Sequence, residues 1–478
     1  MPSSSQQAGN KIALVSTPWP LYSRPSIQLG TLKAYLQSSY PALQIDAHHV
    51  YLKLADSIGY RRYHEISQRT WLAETIYAAL LFPERFEVIE RLFIREVGSK
   101  SNLKDTGLKR LTAMTKKATQ AFIRSCDWGN YLLAGFSVSL CQLTSALYFI
   151  KRIKQKFPEL IIVIGGSTLS GSTTRSFFEI FSEVDAVING EGELPFSQLI
   201  GCLRKSPRLT DVAPINGIIV PKAAQSYHHK ANFNQMKELS SLPAPDYDDY
   251  FNLLKSFKSH NRFFPTLPVE TSRGCWWQRT LASSKAHPKT ANRSTGCAFC
   301  NLNLQWTGYR AKDPPQVVNE IDQLTAKYRT LSVAIADNVL PRKTSKKIFE
   351  KLETLKKDLR LFSEIRATTS YQELKAMGQS GLQEVQIGIE ALSGSLLKKL
   401  HKGTTAIQNL EIMRNCETLG IINISNLILN FPGSDKQDVA ETLDGIKFAI
   451  PYRPLKAVGF WLGYGSPVWR NPKAYGIR

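Results

Sequence analysis

Cys297-Ala-Phe-Cys300 sets two cysteines three positions apart, with an aromatic residue just before the second. Cys275 precedes them in Glu270-Thr-Ser-Arg-Gly-Cys275-Trp-Trp277. Three thiolates can ligate three irons of a 4Fe–4S cluster and leave the fourth iron open to a small molecule. Soft sulfur suits such clusters, and their reactivity follows charge and exposure. Positions 276–296, 21 residues, separate Cys275 from Cys297. Most of this spacer, 279–295, is basic, polar and poor in apolar residues, and reads as a flexible surface insertion. Lengthening a spacer from about 7 to 21 residues costs about 1 kcal/mol of loop-closure entropy, so length alone does not forbid a cluster. The alternatives are three unrelated thiols or a zinc site. Zinc would want a fourth ligand, and the only nearby histidine is His287, inside the insertion.

The chain must supply elements that hold these residues. Its 478 residues leave room for two domains, and 43% hydrophobic content supports real cores. Seven cysteines without regular spacing argue against a disulfide framework and for a reducing, cytoplasmic setting. Cys126, Cys141, Cys202 and Cys416 read as small buried apolar residues. Residues 1–10 carry no apolar signal-peptide core and are expected to be disordered. The stretch 131–150 approaches membrane-span length but contains Ser137, Ser139, Gln142, Thr144 and Ser145, so it reads as a buried strand entering a helix, with no membrane span. The net charge of +22 permits an anionic partner. The basic residues are mostly dispersed, and no ribonucleoprotein motif or zinc finger accompanies them, so no nucleic acid is expected. An acidic leader segment on a peptide substrate is the functional reading of that charge.

From 11 to 204 short apolar runs alternate with helical patterns. Strands are expected at 12–16, 43–50, 131–138, 160–164 and 185–189, and helices at 27–38, 142–156, 172–182 and 194–203. A helical insertion occupies about 55–125. This is an α/β doubly wound parallel sheet, Rossmann-like, with ligands at the carboxyl ends of its strands. The loops there hold Pro18, Ser137, Gly165, Gly166 and Ser167, then Gly190, Glu191, Gly192 and Glu193. The paired Gly165 and Gly166 would let backbone approach a large ligand closely. No Gly-x-Gly-x-x-Gly or Walker loop is present, which disfavours a nucleotide. Residues 205–265 read as a proline-led linker.

From 266 to 478 the alternation restarts. Strands are expected near 268–272, 331–336, 360–365, 383–388, 422–429 and 457–461, with helices near 314–328, 343–356, 370–378, 405–419 and 435–449. Six strands alternating with helices suit a partial (β/α)6 barrel, whose chemistry sits at the strands' carboxyl ends. Those ends carry Asp337 and Asn338, then Glu364, then Gly388 and Glu390, then Asn430, Pro432 and Gly433. A carboxylate such as Glu364 offers two acceptor oxygens, enough for both hydroxyls of a ribose.

The cysteine loop and these strand ends resemble the radical S-adenosylmethionine (SAM) enzymes. The resemblance implies a 4Fe–4S cluster on Cys275, Cys297 and Cys300, with SAM held on the open iron. One electron then cleaves SAM to a 5′-deoxyadenosyl radical. It implies SAM contacts from Phe299, Asp337, Asn338, Glu364, Gly388, Glu390, Asn430, Pro432 and Gly433. The first half is similar to the cobalamin-binding domain that precedes many of these enzymes, through Arg24-Pro-Ser-Ile-Gln-Leu-Gly30, Gly135-Phe-Ser137, Gly165-Gly166 and Gly190-Glu-Gly-Glu193. The Asp-x-His-x-x-Gly signature that supplies histidine to cobalt is missing. His48 and His49 read as sheet-edge residues, so the expected cobalamin has no histidine ligand.

Those motifs, with Tyr309-Arg-Ala-Lys312, Gln386-Ile-Gly-Ile-Glu-Ala-Leu392 and Arg470-Asn-Pro-Lys-Ala-Tyr-Gly476, resemble the cobalamin-dependent radical enzymes that mature ribosomally made peptides. That implies C-methylation of an unactivated carbon of a peptide, with a flavodoxin- or ferredoxin-type electron donor. No catalytic side chain is singled out. Two departures matter: the cysteine-loop insertion, with Gln278 where these enzymes usually have glycine, and an apparently short C-terminal segment. They keep two alternatives open: a radical cyclase or other carbon-skeleton enzyme acting on a non-peptide, or an inactive relative.

Overall fold

The computed structural model describes residues 10–98, 101, 103, 105–169, 174–221, 234–277, 279–280, 294–302 and 308–477. The N-terminal residues 1–9, Gln278 and the body of the insertion with His287 lie outside this set. The chain divides into two compact units, one of residues 1–237 and 241–265 and one of residues 238–240 and 266–478.

The first unit contains β1 (Lys11–Ser16), β2 (Gln44–His49), β3 (Leu133–Ser137), β4 (Ile161–Gly165), β5 (Ala186–Ile188) and β6 (Ile218–Ile219), in sheet order β2-β1-β3-β4-β5-β6. The first five are parallel and β6 runs antiparallel to β5. The strands are apolar runs because helices cover both faces of a parallel sheet. Ile12, Leu14, Leu133 and Val163 are buried in one cluster with Leu29, Leu36, Phe196 and Leu199 from helices. Among the described residues, five α-helices between Val50 and Ser125, with a short 3-10 turn at Pro83–Arg85, form the helical insertion.

Residues 205–265 are not a plain linker, which corrects the sequence reading. They supply β6 and the helix Asp248–Ser256 to this unit. Asp249 of that helix accepts the Ala47 backbone N–H at 3.2 Å and pairs with Lys33. Tyr247 explains the glycine closing the Arg24–Gly30 motif, because a Cβ at Gly30 would stand 2.6 Å from its ring.

The second unit contains β7 (Leu267–Val269), β8 (Ser272–Arg273), β9 (Arg279–Thr280), β10 (Ser294–Thr295), β11 (Arg310–Ala311), β12 (Ser332–Ile335), β13 (Arg360–Ile365), β14 (Leu382–Ile387), β15 (Ile422–Asn423), β16 (Asn426–Leu429) and β17 (Lys456–Gly459). A parallel sheet runs β15-β14-β13-β12-β7, and β16 pairs parallel with β17. The parallel bridge Glu390↔Leu427 links β16 back to the end of β14. This is the sequential strand order of a partial (β/α)6 barrel.

The fifth strand, expected to be continuous over 422–429, breaks between β15 and β16. Buried Ser425 stands at the break. Its hydroxyl accepts the Ile387 N–H at 3.1 Å, a rung a backbone carbonyl would otherwise supply, and its carbonyl accepts from Lys456.

Candidate functional site

In the second unit, the cysteine loop is held at both of its ends. β8, just before Cys275, pairs antiparallel with β11. β9 and β10 also pair antiparallel, Arg279 opposite Thr295 and Thr280 opposite Ser294. The long spacer is therefore closed at its base, and its ends return to within a few residues of Cys275 and Cys297. The three thiols feel one another electrostatically: Cys300 is raised by the charges of Cys297 and Cys275, and Cys275 by that of Cys297. Burial is the larger cause in each case and pushes Cys300 up to about 11. The Trp277 backbone N–H bonds the Cys275 sulfur and the Leu302 backbone N–H that of Cys300, both favouring thiolate. Arg366 and Lys402 also pull toward thiolate at Cys275.

Among the described residues, no three His, Cys, Asp or Glu converge tightly enough to hold a single metal ion. Backbone N–H bonds to sulfur are among the contacts that tune 4Fe–4S clusters.

Asp337, just past the end of β12, is buried. It accepts the Thr271 N–H at 2.7 Å, the Ser272 hydroxyl at 2.6 Å and the Thr271 hydroxyl. Burial raises its carboxyl to about 7, and these donors oppose the shift. Its oxygens are thus committed to the chain. Asn338, next to it, is half-buried.

Glu364 and Glu390 come together at the ends of β13 and β14. Glu364 is half-buried, and its carboxyl is raised first by burial and then by the Glu390 charge, with Lys402 opposing. Glu390, at a left-handed φ of 62°, meets Lys402 Nζ at 3.1 Å. Gly388 leaves room for that ammonium, since a Cβ there would stand 2.5 Å from Nζ. The same ammonium lies 5.7 Å from the centroid of the Phe299 ring. Asn430 and Gly433 are exposed and Pro432 is half-buried, on a loop anchored by buried Phe431, whose ring packs 5.3 Å from that of Phe460.

Arg366 and Lys402 were not singled out from sequence. Arg366 lies two residues past Glu364. Lys402 sits in the Lys-Gly turn after the helix Gly394–Lys399, a position no strand-end rule selects.

In the first unit, Pro18 is buried in the loop after β1, where Gln142 Nε2 donates to the Thr17 carbonyl at 2.6 Å and the Ser145 hydroxyl reaches the Pro18 carbonyl. Ser137 is half-buried at the end of β3, and Ser167 is exposed beyond β4. The glycine pair has another reason than ligand access. A Cβ at Gly165 would stand 3.3 Å from Ile188 Cβ, and one at Gly166, with φ 120°, would stand 2.2 Å from the Val138 carbonyl oxygen. A Cβ at either glycine would thus meet the chain's own atoms, a packing reason that stands beside the ligand access expected from sequence.

Gly190 forms a parallel bridge to Asn234, and buried Glu191 accepts the Met236 N–H at 2.6 Å. Gly192 packs on Leu32, and Glu193 is buried at the start of the helix Glu193–Leu203. His48 bonds the Tyr131 hydroxyl at 3.1 Å, and His49 takes the Ser26 N–H at 3.5 Å. Burial lowers His48 to about 4 and His49 to about 3, so both are neutral; His49 is enclosed and His48 half-buried.

Residues 294–446 match the Radical SAM superfamily. The match includes Cys297 and Cys300 and begins beyond Cys275, on the far side of the long spacer. Among curated proteins, the chain is 25% identical to the Uncharacterized methyltransferase PH0819 of Pyrococcus horikoshii, over 65% of this chain and 63% of that protein. It is 25% identical to the Anaerobic magnesium-protoporphyrin IX monomethyl ester cyclase of Rubrivivax gelatinosus, over 64% of this chain and 52% of that protein. The alignments thus span less than two thirds of these relatives. Among solved structures, the radical SAM methyltransferase TsrM of Kitasatospora setae, with cobalamin and a [4Fe-4S] cluster bound, superposes with a TM-score of 0.63 at 13% identity, over 98% of this chain and 79% of that one. Residues 294–446 are thus similar to a radical SAM domain, and the chain shares its fold with solved cobalamin-dependent radical SAM enzymes.

Proposed function

We propose that the chain is a cobalamin-dependent radical SAM methyltransferase that acts in the cytoplasm on an unactivated carbon of a ribosomally made peptide. The observation carrying this reading is the gathering of Cys275, Cys297 and Cys300 beside Arg366 and Lys402 at the carboxyl end of a partial barrel. When bound, the cluster, SAM and cobalamin supply the radical and the transferable methyl group.

The chain's own residues bind and orient. The three thiolates hold the cluster. Glu364 offers acceptors to ribose hydroxyls, Phe299 and the 430–433 loop line the adenosine side, and Glu390 with Lys402 forms an ion pair beside them. In the first unit, Pro18, Ser137, Ser167 and Gly190–Glu193 sit at the ends of β1, β3, β4 and β5, where a doubly wound sheet takes its ligand. With His48 and His49 both hydrogen-bonded within the chain, those loops suit a corrin held without imidazole on cobalt. An external one-electron donor of flavodoxin or ferredoxin type is required. The methyltransferase relative and the methyltransferase fold neighbour support methyl transfer; the peptide rests on the sequence motifs.

The cyclase relative favours a second reading, carbon-skeleton modification without methyl transfer. Reconstituted protein incubated with SAM, methylcobalamin, reductant and a candidate precursor peptide separates the two. A peptide gaining one methyl, with 5′-deoxyadenosine and S-adenosylhomocysteine formed together, supports the proposal. 5′-Deoxyadenosine without S-adenosylhomocysteine supports the second reading.

A further inference from the structure

Three successive backbone carbonyls after the helix Gly394–Lys399 each accept from a different part of the site. The Leu400 carbonyl takes the Ala298 N–H at 2.9 Å, within Cys297-Ala-Phe-Cys300. The His401 carbonyl takes the Trp277 indole N–H at 3.0 Å, two residues after Cys275. The Lys402 carbonyl takes a guanidinium N–H of Arg366, whose Cζ lies 4.5 Å from the centroid of the Trp277 ring and 5.5 Å from that of Trp276. The next residue, Gly403, has φ 68°, and a Cβ there would stand 1.9 Å from the Trp277 ring.

We propose that the Leu400–Gly403 turn is the positioning element that sets Cys275 against Cys297 and Cys300, in the role a short cysteine spacing plays elsewhere. This deepens the proposed function and rests on its cluster reading. The two cysteine segments are separated by 21 residues in sequence, yet both bond to adjacent peptide units of one turn. Their relative placement is fixed by that turn and by the β9–β10 pair at the base of the spacer. Arg366 completes the arrangement by setting its guanidinium over both tryptophan rings while tied to the same turn. The spacing information has moved about 100 residues downstream of the cysteines.

The test uses the full chain, anaerobically reconstituted, with iron content, chelator resistance of the cluster and the electron paramagnetic resonance (EPR) signal as readouts. Thermal melting of the iron-free protein runs in parallel. Wild type must first retain a cluster; if it does not, the cluster reading itself fails, whatever the variants do. With wild type loaded, Gly403→Ala is expected to lose iron as severely as Cys275→Ala. Trp277→Phe keeps a ring but removes the N–H, and should lose its cluster to chelator about threefold to tenfold faster, as befits one hydrogen bond, with the iron-free melt unchanged. Should Gly403→Ala fail to fold, Trp277→Phe decides alone. Wild-type chelator resistance and EPR signal in Trp277→Phe would overturn the proposal, as would full iron retention in folded Gly403→Ala.

Discussion

Asp337 accepts the backbone N–H of Thr271 at 2.7 Å, so the end of β12 grips the strand that leads into Cys275. Ser272 adds its hydroxyl to the same carboxylate. Asp337→Asn should destabilise the iron-free protein by about 1–3 kcal/mol, because the amide nitrogen cannot accept and leaves a buried donor unpaired. Chemical denaturation measures this. An unchanged midpoint would return Asp337 to the simpler role of a cofactor contact.

The insertion should be dispensable. β9 and β10 close its base, so a two-residue Asn-Gly turn in place of 281–293 meets the geometry of a short hairpin. Iron content and chelator resistance are expected to match wild type. Loss of the cluster in this variant would show that the insertion contributes to the site.

His48 and His49 predict a pH dependence. Burial lowers them to about 4 and about 3, whereas an unfolded histidine titrates near 6.5. Between these values the unfolded chain binds more protons, so stability falls as pH drops below about 6.5, by about 1.4 kcal/mol per pH unit for each histidine. The Asp337 carboxyl, raised to about 7, works the other way over the same window, so the test is a difference: in denaturation between pH 7.5 and 5.0 the iron-free wild type should lose more stability per pH unit than His48→Gln. An identical slope in the variant would exclude His48 as its source.

Gly166→Ala should lower the melting temperature of the protein with no cofactor present, since its Cβ would drive into the Val138 carbonyl at a φ that disfavours side chains. An unchanged melt coupled to lost cobalamin binding would restore ligand access as the reason for this glycine.

The sheets were legible because parallel strands are apolar runs, and β1, β3 and β4 stand out from the polar helices around them. The cysteines and the carboxylates Glu364 and Glu390 were legible as residue types at strand ends. Other features were not. The helix Asp248–Ser256 follows a proline-led stretch, and its place depends on Tyr247 filling the space beside Gly30 some two hundred residues earlier. The break at Ser425 depends on one hydroxyl replacing a rung of the ladder. Trp277 and Arg366 meet the Leu400–Gly403 turn through the backbone carbonyls of His401 and Lys402, which carry no residue-type signal.

The central claim is that Cys275, Cys297 and Cys300 hold one 4Fe–4S cluster with an iron open to SAM. EPR of the reduced, reconstituted protein, with and without SAM, tests it most directly. The account predicts a 4Fe–4S signal that shifts when SAM is added and that disappears in Cys275→Ala, Cys297→Ala and Cys300→Ala alike. A signal indifferent to SAM, or one that survives intact in any of the three variants, would contradict it.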